Sequence, residues 1–231
     1  KTIYIGAVMS ESVPLSWWTT TAKNWNSGLL SGAANSPDYY IVHNYYTNYH
    51  TNANAAEILN TPIPVTQTMM DFVKQSIAAA GLTQKPVVLN EWNIFSIGSK
   101  QQVSHVNGLH AVMVLGESLK NKFGMTARWD LANAWDNGND HGMFSQGDEP
   151  DAVPKWTPRP AFYHMYYFQK YLGDRLVASS STSADIISYA SSFTSGETAV
   201  TLVNKSTEAK SVELSFKNFR KGNKFYWYTL T

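Results

Sequence analysis

One glutamate, Glu91, lies where the sequence changes abruptly from apolar to polar. The run from Val87 to Leu89 is apolar and β-prone, and Asn90, Glu91 and Trp92 follow it directly. A buried strand does not normally end on an unpaired charge, but a strand of a (β/α) barrel often does, because its carboxyl end opens into the active site. A carboxylate beside an aromatic ring is suited to the cleavage of a glycosidic bond. The alternative is a surface glutamate just beyond a strand.

The composition favours some classes of function over others. The 231 residues, 43% of them hydrophobic, are enough for one domain or two small ones with a sizeable core. A net charge of +1 with dispersed Lys and Arg indicates no nucleic-acid partner, and no apolar run reaches the roughly 18 residues of a membrane helix. The absence of cysteine excludes disulfides and thiolate chemistry. The abundance of aromatic rings (8 Trp, 13 Tyr and 10 Phe) suits the binding of sugars, although an ordinary β-rich domain can have a similar composition.

Strands and helices alternate in the pattern of apolar residues through Gly173. The predicted strands cover residues 3–9, 38–43, 86–89 and 126–131, and the predicted helices cover 14–34, 65–80, 101–123 and 159–172. This alternation is typical of parallel βαβ units. Four such units make half of an eight-stranded barrel, so the sequence predicts an α/β half-barrel over residues 1–173.

After Gly173 the pattern changes to short strands separated by turn residues. The predicted strands cover residues 175–180, 186–193, 199–204, 211–216 and 224–230. Such a run of short strands is typical of an antiparallel β-sandwich. We therefore expect a second domain over residues 174–231, a small and incomplete β-sandwich.

Three stretches of the first domain resemble the clan A glycoside hydrolases, in particular the α-L-arabinofuranosidases, β-xylosidases and β-agarases that carry an appended β-sandwich. Residues 41–46 resemble the sixth strand of their (β/α)8 barrel, which ends in His-x-Tyr facing the substrate. Residues 88–92 resemble the seventh strand, whose terminal Glu is the nucleophile. Residues 127–135 resemble the eighth, and residues 158–176 resemble the last barrel helix leading into the sandwich.

The resemblance implies both an activity and a site. It implies strands 5–8 of a TIM barrel and a secreted or periplasmic enzyme without cofactor or metal ion, which retains anomeric configuration while it cleaves O-glycosidic bonds of a plant or algal polysaccharide. Glu91 is then the catalytic nucleophile. The side chains expected to contact the carbohydrate are His43, Tyr45, Tyr46, Asn90, Trp92, Trp129, Trp135 and His141.

The second carboxyl group of such a site is harder to place. Retaining glycosidases use two carboxyl groups about 5–5.5 Å apart, and the acid/base of the similar enzymes is a Glu at the end of the fourth strand, normally preceded by Asn. That Glu would lie before residue 1, and Glu11, which lacks the Asn, is the only comparable Glu of this chain. A half-barrel leaves two open strand edges and an uncovered inner face. We therefore expect a partner, the N-terminal half of the same enzyme, as a separate chain or fragment.

Several of these residues have other interpretations. His43 could be a core histidine, and Arg128 and Asp130 could form an ion pair inside the barrel. The oxygen-rich loop 136–141 could hold Ca²⁺, although its spacing fits no EF-hand. At the level of function, the alternatives are a non-catalytic carbohydrate-binding protein on a degenerate barrel and a structural subunit whose partner holds the active site.

Overall fold

The computed structural model describes residues 3–220 and 222–231. By its internal contacts the chain divides into two compact units, Lys1–Lys170 and Tyr171–Thr231. Within the described ranges, no helix is both long enough and apolar enough to cross a membrane.

A parallel sheet of four strands forms the centre of the first unit. Its strands are β1 (Gly6–Val8), β2 (Tyr39–Tyr45), β3 (Val87–Asn93) and β4 (Met125–Arg128), and they pair in the order β1-β2-β3-β4. Every neighbouring pair is parallel. The four carboxyl ends therefore lie along one edge of the sheet, and the predicted α/β fold with a parallel sheet is confirmed.

Helices connect the consecutive strands. They are α1 (Thr20–Lys23) and α2 (Trp25–Ala33) before β2, α3 (Ala55–Asn60) and α4 (Pro62–Ala79) before β3, α5 (His105–Lys120) before β4, and α6 (Pro160–Tyr171) after the long loop that follows β4. This loop contains two short paired strands, β5 (Ala132–Asn133) and β6 (Phe144–Ser145).

Local signals explain where several helices begin. Asn54 and Glu57 form a capping box at the start of α3, each side chain bonding the other's backbone N–H. Pro62 occupies the first turn of α4, where its missing N–H costs no hydrogen bond. The Ser104 hydroxyl accepts the backbone N–H of Val106 at the start of α5.

The helices cover one face of the sheet, and the other face is more open. Val42 of β2 and Leu89 of β3 are fully buried against α4, which contributes Met69, Met70, Val73 and Ile77 to the core. Each such side chain stabilises the fold by about 1.5–3 kcal/mol. On the opposite face, Val8 of β1 is 48% exposed and Met125 of β4 is 52% exposed.

Several predicted boundaries in this unit are wrong. Only Gly6–Val8 of the predicted strand 3–9 pair with a neighbour. The predicted helix 14–34 begins at Thr20 and is interrupted at Asn24, so residues 10–19 form a loop at the carboxyl edge of the sheet. Conversely, β3 continues past residue 89 to Asn93, because its last residues still pair with β2.

The second unit contains a three-stranded antiparallel sheet of β7 (Arg175–Val177), β8 (Ile186–Ser192) and β9 (Thr198–Asn204), in that order. The two remaining predicted strands, 211–216 and 224–230, are absent from the described residues. Their alternating residues have high β-propensity, but a strand forms only where a neighbour completes its ladder, and neither segment has one. Most apolar side chains of these segments are exposed instead. The β-sandwich therefore stays a prediction.

Candidate active site

A β-bulge determines which side chains meet at the carboxyl edge. Leu89 of β3 pairs with Val42 of β2, but the next pair is His43 with Glu91, so Asn90 is an extra residue without a partner. The pairing of β3 with β4 shifts at the same place. Directly paired residues share one face of a sheet. The bulge therefore sets Glu91 beside His43.

The Tyr45 hydroxyl and the His43 imidazole both lie close to the Glu91 carboxyl group. The Tyr45 hydroxyl donates to Glu91 Oε1 at 2.9 Å. His43 Nδ1 lies 3.5 Å from Glu91 Oε2, and the His43 side chain is 43% exposed while that of Glu91 is 28% exposed. The arrangement is that of a partly accessible, oriented carboxylate, and the core-histidine interpretation of His43 is wrong.

Tyr45 keeps its proton beside this carboxylate. Burial raises the pKa of the Tyr45 hydroxyl first, and the hydrogen bond and negative charge of Glu91 raise it further. The hydroxyl is therefore a fixed donor at any working pH. Because its acceptor is an anion, the bond is of the stronger, charge-assisted kind.

Aromatic side chains pack against the Tyr45 ring and hold it in place. The ring stacks on Phe95 with centroids 4.4 Å apart, and the His141 imidazole packs edge-on against both rings at 5.4 and 5.6 Å. His141 is buried, and its Nδ1 lies 3.3 Å from Gln102 Nε2. Burial, with the nearby Arg128 charge, lowers the pKa of His141 to about 4, so it is neutral at pH 7. His141, predicted to contact substrate, therefore supports Tyr45 instead.

Backbone carbonyl groups, not the Asp130 carboxylate, accept the hydrogen bonds of Arg128. Its Nη1 donates to the carbonyl of His141 at 2.6 Å and, more weakly, to that of Asp130 at 3.5 Å. Among the described residues no ion pair joins Arg128 to Asp130, so that interpretation is wrong. Burial lowers the pKa of Arg128 to about 10. The side chain serves to hold the loop after β4, where the Trp129–Asp130 peptide bond is cis.

The polar loop after β4 is held by a buried ion pair. Arg159 Nη2, at the start of α6, lies 2.5 Å from Asp140 Oδ2 and 2.5 Å from Glu149 Oε1. Asp140 Oδ1 accepts the N–H of Gly142. Both Asp140 oxygens are therefore occupied within the fold. In the part of the chain that the structure describes, no three His, Cys, Asp or Glu side chains are grouped to hold a metal ion.

Two of the predicted substrate contacts lie in the core. Tyr46 is 5% exposed, and its hydroxyl bonds Thr66 Oγ1 at 2.8 Å. Trp92 is fully buried near His110. Side chains alternate along a strand, so the residues that follow Tyr45 and Glu91 point towards the helices. Both predictions are therefore corrected.

The remaining predicted contacts keep some access to solvent. Trp129, directly after β4, is 45% exposed. Trp135 is half-buried, and its backbone N–H donates to Asp148 Oδ2 at 2.9 Å. Asn90 is half-buried, and its Oδ1 has no hydrogen-bond partner among the residues that the structure describes. These side chains remain candidates for contact with a sugar.

Sequence reasoning missed Phe95 and gave Glu11 little weight. Phe95 lies two residues past β3, and no sequence pattern there distinguishes an aromatic residue of the site from one of an ordinary loop. Glu11, in the loop after β1, is half-buried, and Asn44 Nδ2 donates to its Oε1 at 3.5 Å. Burial raises the pKa of the Glu11 carboxyl, although its own backbone N–H, Asn44 and the charge of His43 act in the opposite direction. In the sequence, the signal that pointed to Glu11 was its position directly after a predicted strand.

Comparisons of sequence identify no relative: no protein-family profile and no curated protein matches the chain. Solved structures do match its fold. An α-L-arabinofuranosidase from Thermotoga maritima aligns over 88% of this chain with a TM-score of 0.57 and 18% identity. A GH51 arabinofuranosidase from Xanthomonas axonopodis pv. citri aligns over 90% with a TM-score of 0.62 and 14% identity. A 4-O-α-L-rhamnosyl-β-D-glucuronidase from Fusarium oxysporum 12S aligns over 88% with a TM-score of 0.57 and 16% identity.

The alignments cover only part of these proteins. This chain spans 43%, 45% and 40% of the three, which is less than half of each. The resemblance to clan A glycoside hydrolases that the motifs predicted is confirmed at the level of the fold, and the chain has the fold of a portion of these enzymes.

Proposed function

We propose that this chain is part of a retaining glycoside hydrolase in which Glu91 is the nucleophile. The observation that carries the proposal is the Glu91 carboxylate at the carboxyl edge of a parallel sheet, held by the Tyr45 hydroxyl at 2.9 Å with His43 Nδ1 at 3.5 Å. Active sites of (β/α) barrels lie at this edge. The fold of the matching glycosidases supports the same activity.

The reaction is a double displacement. A Glu91 oxygen attacks the anomeric carbon while a second carboxyl group protonates the departing glycosidic oxygen, which leaves a glycosyl ester on Glu91. The second group then takes a proton from water, and that water attacks the anomeric carbon and releases Glu91. The hydrogen bond from the Tyr45 hydroxyl to Oε1 holds the Glu91 carboxyl group in one orientation.

The acid/base residue lies outside this chain, on the N-terminal half of the enzyme, which is a separate chain or fragment. The four strands then represent strands 5–8 of a TIM barrel. Within the described residues β1 and β4 each pair on one side only. The half-exposed Val8 and Met125 lie on the open face of these edge strands, which an additional half-barrel would cover.

The substrate is a plant or algal polysaccharide, and the enzyme is secreted or periplasmic. Trp129 and Trp135 provide aromatic faces that suit stacking on sugar rings. His43 and Asn90 provide polar groups for hydroxyls. Trp17, 77% exposed in the loop after β1, offers a further face for a distal sugar unit.

Glu91→Gln tests the proposal, with Glu213→Gln, an exposed glutamate of the second unit, as the matched control. The purified chain, together with any polypeptide that copurifies with it, is assayed with aryl α-L-arabinofuranosides and β-D-xylosides. Turnover should vanish in Glu91→Gln and persist in the control. A deoxyfluoro glycoside should add its glycosyl mass to the peptide that contains Glu91.

The outcomes separate the candidate functions. Sugar binding without turnover in the wild type, unchanged in Glu91→Gln, would favour the non-catalytic carbohydrate-binding protein. Labelling of a different carboxyl group would refute the assignment of Glu91. Native and denatured masses of the same sample test the partner: a second polypeptide supports it, whereas a folded, active monomer of 25.8 kDa would contradict it.

A further inference from the structure

Glu11 is a partly buried carboxyl group for which the proposed mechanism has no use. It lies two residues past Met9, whose backbone N–H donates to the carbonyl of Ile41 and so marks the last contact of β1 with β2. His43 and Asn44 lie at the same edge, at the end of β2. Glu11 is therefore a residue of the rim that also carries Glu91.

Glu11 has no Lys or Arg partner in the part of the chain that the structure describes. Among residues 3–220 and 222–231, no Lys or Arg forms an ion pair with it, unlike Asp140 and Glu149, which share Arg159. Its side-chain contact is the Asn44 amide at 3.5 Å, the outer limit of a hydrogen bond. A half-buried carboxyl group without a strong partner is costly, so a purely structural role explains it poorly.

The hydrogen-bonding capacity of Glu11 is largely unused. A carboxylate offers about four acceptor positions, and the Asn44 amide and the backbone N–H of Glu11 itself account for two. The hydroxyl groups of a sugar ring are donors of the kind that would fill the rest. His43, which lies 3.5 Å from Glu91, also acts electrostatically on Glu11, so both carboxyl groups lie near the same imidazole.

We propose that Glu11 is a substrate-binding residue whose carboxylate accepts hydrogen bonds from the hydroxyls of the sugar beside Glu91, with Asn44 positioning it. This inference rests on the proposed function, since it assigns a role within the same site. It does not make Glu11 the acid/base.

The test compares Glu11→Ala and Glu11→Gln with wild type and with Glu213→Gln. Each protein, with any copurifying polypeptide, is assayed on para-nitrophenyl and dinitrophenyl glycosides of the same sugar. Loss of a hydrogen bond to a charged group lowers kcat/KM about tenfold or more. We expect that loss in Glu11→Ala on both substrates alike, with an intermediate value for Glu11→Gln and none for the control.

Leaving-group dependence separates binding from acid catalysis. Loss of a general acid slows hydrolysis most for the poorer leaving group, para-nitrophenol, and added azide restores the activity of a variant that lacks the acid/base. A deficit confined to that substrate and rescued by azide would overturn the proposal and make Glu11 the acid/base. Activity of Glu11→Ala within twofold of wild type would overturn it in favour of a structural role.

A binding measurement decides the matter if the wild type hydrolyses neither substrate. In that case the proposed function fails, and the affinity for L-arabinose and D-xylose is measured by titration with NMR detection. Weaker binding by Glu11→Ala, with unchanged thermal stability, would still support Glu11 as a sugar contact. Equal binding, or none by the wild type, would refute it.

Discussion

The hydrogen bond from Tyr45 to Glu91 provides the sharpest test of the site. Tyr45→Phe removes only the hydroxyl that lies 2.9 Å from Glu91 Oε1 and leaves the ring stacked on Phe95. A hydrogen bond to a charged group contributes about 1.5–3 kcal/mol. Since about 1.4 kcal/mol corresponds to a factor of ten in rate, kcat/KM should fall about 10- to 150-fold.

Activity and stability, measured separately, give this prediction two readouts. The assay of activity is the initial rate on an aryl glycoside at a fixed pH. Thermal unfolding should change little, because the aromatic packing with Phe95 and His141 is kept.

Tyr163→Phe is the matched control, since Tyr163 is a partly exposed tyrosine of α6 whose ring packs edge-on against Phe162. It should keep wild-type activity. Activity of Tyr45→Phe within twofold of wild type would refute the reasoning. So would an equal loss in both variants, because the effect would then not depend on Glu91.

Three further predictions concern stability and binding. Arg159→Ala leaves the buried carboxylates of Asp140 and Glu149 without their cation and should lower the free energy of unfolding by about 3–5 kcal/mol in urea titrations. Lys100→Ala, which breaks the exposed ion pair with Asp151, should lower it by at most about 1 kcal/mol. Equal losses in the two variants would contradict the role of burial. Burial lowers the pKa of His110 to about 3, so as pH falls below about 6.5 the imidazole is protonated in the unfolded chain before it is protonated in the folded one. The stability contributed by neutral His110 is therefore full above that pH and declines towards pH 3, and His110→Leu should flatten this decline. If the urea midpoint fell equally between pH 7 and pH 5 in His110→Leu and in wild type, the prediction would be refuted. Trp129→Ala should weaken sugar binding with little change in melting temperature, whereas Trp92→Ala should destabilise the fold by about 3–5 kcal/mol; the reverse order would show that the two rings have been assigned to the wrong faces.

Much of the first unit could be predicted because its signals are local. The apolar run before Glu91, the helical spacing of the residues around Met69 and the order of strands and helices all follow from neighbouring residues. The same signals correctly put His43, Tyr45 and Glu91 at one edge of a sheet. Those three side chains form the centre of the observed site.

The errors arise where distant parts of the chain decide the outcome. Tyr46 and Trp92 directly follow Tyr45 and Glu91, which lie at the site. Because side chains alternate between the two faces of a strand, Tyr46 and Trp92 point into the core instead. His141 carries a polar ring, but its position behind Tyr45 depends on how the loop after β4 folds back. Segments 211–216 and 224–230 have the composition of strands, but the residues of a segment do not determine whether another strand is available to pair with it.

The extra residue of β3 has a consequence for how this site can change in evolution. The motif letters around Glu91 would survive the insertion of one residue between Leu89 and Glu91, and a comparison of sequences would still align the glutamate. If β3 kept a single bulged residue, the longer chain would pair Glu91 with Asn44, and the carboxylate would turn towards the helices, away from His43 and Tyr45. One added codon could thus silence the site without altering a single residue that touches it, so the count of residues between Leu89 and Glu91 is as informative as their identity.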